Sequence, residues 1–302
     1  MTRCLLAVVA VLGAGGCRSV QELPRPSAQS AEQPPREELI GIPIGQDPED
    51  GHPMLLQATL YRPRRDGRVP LAIMNHGSPV TMDPDKRRGV GRARFEILSR
   101  WLVDRGFAVV VPMRRGFAGS EGDYAEDFGA CQDPDYVRVG REAARDVSAT
   151  LDHLSRADFV DPRRIIVLGN STGGWAAIAF SANAGTAVAG FINFAGGRGG
   201  RDPDGSGKRC AQPPLVEAAA LFGRTSRIPS LWVYVENDTI FPPDLARAML
   251  DSFRGAGGQA ELVVLPPVGK EGHPFIHRPD AVPLWSAPVS RFLQGLGYSV
   301  QP

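Results

Sequence analysis

Residues 165–175 read IIVLGNSTGGW. An apolar run breaks at Gly169, passes through Asn170, Ser171 and Thr172, meets Gly173 and Gly174, and resumes as an apolar stretch, WAAIAFSAN. The run RIIVLG has the unbroken apolar character of a strand buried on both faces of a parallel sheet. The stretch after it predicts a helix. Ser171 therefore stands at a strand-to-helix turn in the spacing G-x-S-x-G. Two readings fit. The glycines can serve a plain reversal of the chain, or they can clear space for a nucleophile elbow, where strand and helix fold back closely enough to exclude side chains two residues either side of the serine. The second reading needs a base, an acid and oxyanion donors at matching places.

Working outward from that turn, the pattern is regular from residue 38. EELIGIPI and PMLLQATLYRP predict two strands joined by the polar turn GQDPEDGH, forming an antiparallel edge. VPLAIMNHG is nearly all apolar and predicts a central strand, and ARFEILSRWLVDRG predicts a helix stopping at Gly106. FAVVVPM, AVAGFINFAGG, PSLWVYVEND and AELVVLPP predict further strands. Helices are expected at about 137–155, after Ser171, in DLARAMLDSFRGAGG and in PLWSAPVSRFLQGLG, with an irregular Gly- and Arg-rich segment running to about residue 228. Strands alternating with helices predict an α/β fold, a mostly parallel sheet with helices on both faces. Ligands in such sheets bind at the carboxyl ends of the strands.

Polar residues cluster at those ends. NHGSP closes the third strand, Asp238 follows SLWVYVEN, and His273 and His277 lie in the loop after the last strand. The chain order is serine, acid, histidine. A serine hydroxyl is a weak nucleophile unless a base takes its proton, an imidazole titrates near neutral pH, and a carboxylate fixes the ring's tautomer. Ser171, His273 and Asp238 are the candidates for those roles. The backbone N–H groups of Thr172 and Ser78 are the candidate oxyanion donors. Glu236 competes with Asp238, and His277 with His273. Asp238 is preferred because it opens the loop in the spacing D-x-x-x-P, and His273 because Gly272 precedes it. His76 reads as a pocket-wall residue, and His52 and His153 as a turn and a helix-surface residue. No His, Cys and carboxylate cluster has metal-ligand spacing, and no G-x-G-x-x-G follows a strand, so neither a metal nor a nucleotide cofactor is expected.

The chain has 302 residues, 34 Lys+Arg against 33 Asp+Glu, and a net charge of +1, which offers no electrostatic footprint for nucleic acid. Its amino terminus, MTRCLLAVVAVLGAGGC, pairs a short basic region with an apolar stretch too short to span a bilayer. That pattern predicts a signal peptide over 1–17. AGGC resembles a bacterial lipobox, with Cys17 as the lipidated residue, although an ordinary secretory cleavage site also fits. Residues 18–37 are polar and proline-rich and predict a disordered tether. The folded domain is expected over 38–302, exported to the periplasm or held at a membrane by a lipid anchor alone. Setting Cys4 and Cys17 aside leaves Cys131 and Cys210. An exported pair predicts a disulfide joining two loops beside the catalytic edge, with two free thiols as the alternative.

NHGSP (75–79), RRGFAGSEG (114–122), GNSTGGWAA (169–177), NFAGGRGG (193–200), LWVYVENDTIFP (231–242) and GKEGHPF (269–275) together resemble an α/β-hydrolase of the dienelactone-hydrolase-like group over residues 38 to about 298. The resemblance implies serine-triad chemistry, and it implies that 114–122 and 198–228 overhang the pocket mouth. Dienelactone hydrolases carry a cysteine nucleophile where Ser171 stands, which directs the expectation to a carboxylic ester hydrolase acting on a small-molecule ester. A prolyl-oligopeptidase-like peptidase shares the fold and residue order, but 302 residues do not hold the propeller domain of those enzymes. A surface-anchored binding protein without turnover is the remaining alternative.

Overall fold

The computed structural model describes residues 36–78, 83–185, 187–200 and 209–300. The expected signal peptide, Cys17 and the tether as far as residue 35 lie outside the described residues. The first strand begins at Arg36, so Arg36 and Glu37, expected in the tether, belong to the sheet.

Eight strands form one sheet: β1 (Arg36–Gln46), β2 (Pro53–Arg62), β3 (Val69–Asn75), β4 (Ala108–Pro112), β5 (Val160–Asn170), β6 (Val188–Phe194), β7 (Ser230–Val235) and β8 (Ala260–Leu265). Their order is β1-β2-β4-β3-β5-β6-β7-β8. β2 pairs antiparallel with both β1 and β4, and from β4 to β8 every pairing is parallel. The expected antiparallel edge and parallel interior are thus both present.

Every residue of β3, β4 and β7 is buried. Successive side chains on a strand point to opposite faces, so a wholly buried strand needs cover on both. Helices supply it: α1 (Pro84–Arg88), α2 (Glu96–Val103), α3 (Tyr136–Leu154), α4 (Thr172–Ser181), α5 (Pro213–Gly223), α6 (Pro243–Gly255) and α7 (Val282–Gly295). α3, α4, α5 and α6 pack on one another. α2 joins α7 through an edge-on contact of Trp101 and Trp285, centroids 5.3 Å apart.

The segment expected to be irregular up to residue 228 contains a regular helix. In α5, PPLVEAAALFG, two prolines occupy the first turn, where a missing N–H costs nothing, and Leu215, Ala218, Ala219 and Phe222 form a buried stripe at helical spacing. Among the described residues no helix is long and apolar enough to cross a membrane.

Candidate active site

β5 runs into α4 with one residue between them, Ser171, whose backbone is forced to φ 56° and ψ −122°. A serine at positive φ is strained, and the surroundings hold it there. Its N–H donates to Phe194 O at 3.0 Å and its carbonyl accepts from Trp175 N at 3.1 Å. The flanking glycines are required by close approach. A Cβ on Gly169 would meet Gly173 O at 2.0 Å, and one on Gly173 would meet Asn75 O at 2.2 Å. The elbow and the end of β3 are packed backbone against backbone, which leaves the Ser171 side chain standing above the sheet.

His273 Nε2 lies 3.0 Å from Ser171 Oγ, and His273 Nδ1 lies 2.9 Å from Asp238 Oδ2. The three side chains form one hydrogen-bonded series drawn from three separate strand ends. Asp238 is 2 % exposed and its other oxygen, Oδ1, accepts from the N–H groups of Ile240 (2.8 Å) and Phe241 (2.9 Å). Three bonds thus orient a buried carboxylate toward one face of one imidazole. Glu236, two residues earlier, is exposed to solvent.

Sequence reasoning missed the residues that lace the acid loop to the histidine loop. Asn237 accepts from Val268 N at 2.9 Å and donates to Val268 O and Gly269 O at 3.2 and 3.1 Å. Glu271 accepts from the N–H groups of Thr239 and His273 at 3.0 and 3.1 Å. Burial alone would raise the Glu271 carboxyl, but the bonds from Thr239 and His273 pull it below the ordinary carboxylate range. Gly272 is needed for space, since a Cβ there would meet Asn237 Oδ1 at 2.5 Å. The only trace of these roles in the sequence is that both residues neighbour candidate site residues.

His277 does not compete for Ser171. Its ring stacks on Phe95, centroids 4.8 Å apart, in the wall of a cavity of about 590 Å³ that also contacts Ser78, Asn170 and Arg94. Phe95 caps α2 at φ 48°, a second strained position at the site. His52 and His153 are exposed, in the β1–β2 turn and on α3.

Ser78 and Thr172, the candidate oxyanion donors, flank the serine. Thr172 opens α4, and the N–H groups of a helix's first turn have no intrahelical acceptor. Gly77 passes close over the elbow, a Cβ there falling 3.1 Å from Ser171 Cβ, so Ser78 is carried alongside Ser171.

Each of the two segments expected at the pocket mouth carries a buried arginine, and the two meet on Glu126. Arg114, Glu126 and Arg198 are 0, 3 and 4 % exposed. Arg114 Nε donates to Glu126 Oε1 at 2.5 Å and Arg198 Nη1 to Glu126 Oε2 at 2.6 Å. Burial would raise the Glu126 carboxyl, but the two guanidiniums overcome it and hold it at about 2. Beside them, His76 is lowered to about 3, first by burial and then by Arg114, and stays neutral.

Cys131 and Cys210 are joined in a disulfide across 79 residues of chain. Ala211 N donates to Cys131 O at 2.9 Å and Cys210 N to Gly200 O at 3.1 Å, so the bridge ties the segment after β6 to the long loop after β4. Among the described residues one group of metal-ligating type is brought together that sequence spacing did not suggest. Asp47, Asp50 and His52 lie within 4.8 Å of one another in the exposed β1–β2 turn, where Asp47 and Asp50 already accept from the turn's own N–H groups.

The sequence model of the dienelactone hydrolase family matches residues 85–287, about two thirds of the chain. The chain is 27% identical over 134 residues to the "Quorum-quenching protein AidA" of Acinetobacter baumannii (strain MDR-ZJ06), a match spanning 44% of this chain and 38% of that protein. Its fold is similar to that of Est1E from Butyrivibrio proteoclasticus, solved with ferulic acid bound (TM-score 0.57, 19% identity, covering 85% of this chain and 98% of that one). It is also similar to Pyrococcus horikoshii acylaminoacyl peptidase (TM-score 0.63, 15% identity, 89% of this chain and 42% of that one).

Proposed function

The chain belongs to the dienelactone hydrolase family, and from that premise we propose that it is a serine hydrolase cleaving carboxylic esters through an acyl-enzyme on Ser171. The observation that carries the reading is the unbroken series Asp238–His273–Ser171, with contacts of 2.9 and 3.0 Å. In this scheme Ser171 Oγ attacks the acyl carbon as its proton passes to His273 Nε2. The carbonyl oxygen gathers negative charge opposite the N–H groups of Ser78 and Thr172. Collapse of the tetrahedral intermediate expels the alcohol, which takes the proton from His273. Water then repeats the sequence and releases the acid. Asp238 keeps Nδ1 protonated and stabilises the imidazolium while it exists. The cavity beside Ser78, walled by the Phe95–His277 stack, supports a small-molecule substrate.

Turnover of p-nitrophenyl acetate by purified protein, compared with Ser171→Ala, tests the assignment. Loss of nearly all activity in the variant is expected, and full activity would overturn it. The peptidase-type neighbour, whose own chain is more than twice as long, supplies the second reading. Turnover of aminoacyl-proline amides faster than short acyl esters would reverse the ranking. Failure of a fluorophosphonate to label Ser171 in folded protein would favour a binding protein.

The amino-terminal pattern supports export, with Cys17 as a lipid anchor, and the Cys131–Cys210 disulfide is compatible with an oxidising compartment.

A further inference from the structure

One buried residue, Arg114, bonds to both segments that carry the candidate oxyanion donors. Arg114 Nη1 donates to His76 O at 2.6 Å, and the backbone N–H of Arg114 donates to His76 Nε2 at 3.0 Å. With Nε2 accepting, the neutral ring carries its proton on Nδ1, which donates to Gly77 O at 2.6 Å. In a trans peptide the C=O of one residue and the N–H of the next point in opposite directions. Turning the Gly77 carbonyl toward the His76 ring therefore turns the Ser78 N–H away from that ring, and Gly77 itself lies against the elbow, a Cβ there falling 3.1 Å from Ser171 Cβ. On the second arm, Arg114 Nη2 donates to Thr172 Oγ1 at 3.2 Å, holding the residue whose own N–H opens α4.

We propose that Arg114 is the positioning residue of the oxyanion site, clamping the His76–Ser78 segment and Thr172 at a fixed separation. This rests on the serine-hydrolase reading of Ser171. A planar guanidinium suits the task because its donors leave in fixed directions and can serve several acceptors at once. Glu126 takes the remaining edge through Nε and keeps the plane from rotating, and Arg198 holds Glu126 from the far side. Two guanidiniums face one carboxylate, so the cluster keeps one net positive charge beneath the place where the oxyanion forms. In a dry interior that charge favours the tetrahedral state over the neutral ester. Arg114 touches no substrate and acts through the backbone groups it holds and the charge it lends the cluster.

Arg114→Met leaves Glu126 paired with Arg198, so the cluster stays compensated. The expected result is a fall in kcat for p-nitrophenyl acetate of about 10²-fold, the loss typical of one misplaced oxyanion donor, with KM changed by less than about threefold. A trifluoromethyl ketone gives the readout that a merely structural role would not move. Ser171 Oγ adds to its carbonyl carbon, the proton passes to His273, and the carbonyl oxygen becomes the oxyanion. Its inhibition constant should rise in step with the loss of kcat. A folded Arg114→Met protein with kcat near wild type, or with reduced kcat but unchanged ketone affinity, would overturn the proposal. Should that variant fail to fold, Thr172→Val removes the acceptor on one arm and leaves the ion cluster whole. It should lower kcat by about 10-fold with a matching loss of ketone affinity, and unchanged values would overturn the proposal equally. Ester turnover that Ser171→Ala leaves intact would instead overturn the underlying reading, and this proposal with it.

Discussion

At Ser171 the surroundings override the serine's own backbone preference: φ 56° is imposed by Gly169, Gly173 and Gly77 pressing strand, helix and loop together. Gly173→Ala should therefore destabilise the fold by about 3 kcal/mol, because the new methyl meets fixed carbonyls rather than a side chain that can swing away. The shift in thermal midpoint checks this. Among the carboxylates, Asp238→Asn should lower kcat by about 10³- to 10⁴-fold, since the amide can present the wrong tautomer of His273, whereas Glu236→Gln should leave turnover unchanged. His76 links pH to stability. Its folded pKa, about 3, lies below the ordinary histidine value, so the unfolded chain binds a proton that the native one refuses. The stabilisation is complete above about pH 6.5 and is lost progressively as pH falls toward 3. Thermal midpoints measured from pH 7 to pH 4 should fall steadily, and a flat profile would contradict a neutral, buried His76. The triad residues were legible in the sequence because each follows an apolar run at a strand end. Arg114, Glu126 and Arg198 were not, because charged residues in Gly-rich loops carry no periodicity and normally face water.

Two elements owe their places to long-range ties. The loop after β4 carries Glu126 and Cys131, and the segment after β6 carries Arg198 and Cys210, so the disulfide and the ion cluster join the same two stretches of chain. Closing a loop of 79 residues should stabilise the fold by about 4 kcal/mol on the chain-entropy account. Reduction, or Cys131→Ser with Cys210→Ser, should lower the thermal midpoint accordingly. It should also lower ester turnover, because Glu126 and Arg198 lose a restraint. Retained turnover in the reduced but folded protein would confine the bridge to a structural role. α5 shows the opposite failure of sequence reading. Its stripe of Leu215, Ala218, Ala219 and Phe222 is periodic, but the Gly- and Arg-rich residues just before it mask the start.

For the molecule as a whole, expression in a bacterium with residues 1–17 intact should place the protein in the membrane fraction, and Cys17→Ala should release it. Equal release of both forms would favour conventional cleavage. The sequence alone determined the α/β class, the mostly parallel sheet and the chain order of Ser171, Asp238 and His273. The physical reason is that buried parallel strands must be continuous apolar runs, and residues at their carboxyl ends gather at one edge whatever the details. Only the tertiary structure decided which acid and which histidine reach the serine. That choice depends on loop geometry: Asn237 and Glu271 fold the acid and histidine loops together, leaving Glu236 outside and His277 against Phe95. Only the tertiary structure, too, could show Arg114 holding His76 and Thr172, since a buried charge is tolerable only beside an opposite one, and Glu126, 12 residues from Arg114 and 72 from Arg198, is brought to both by the fold.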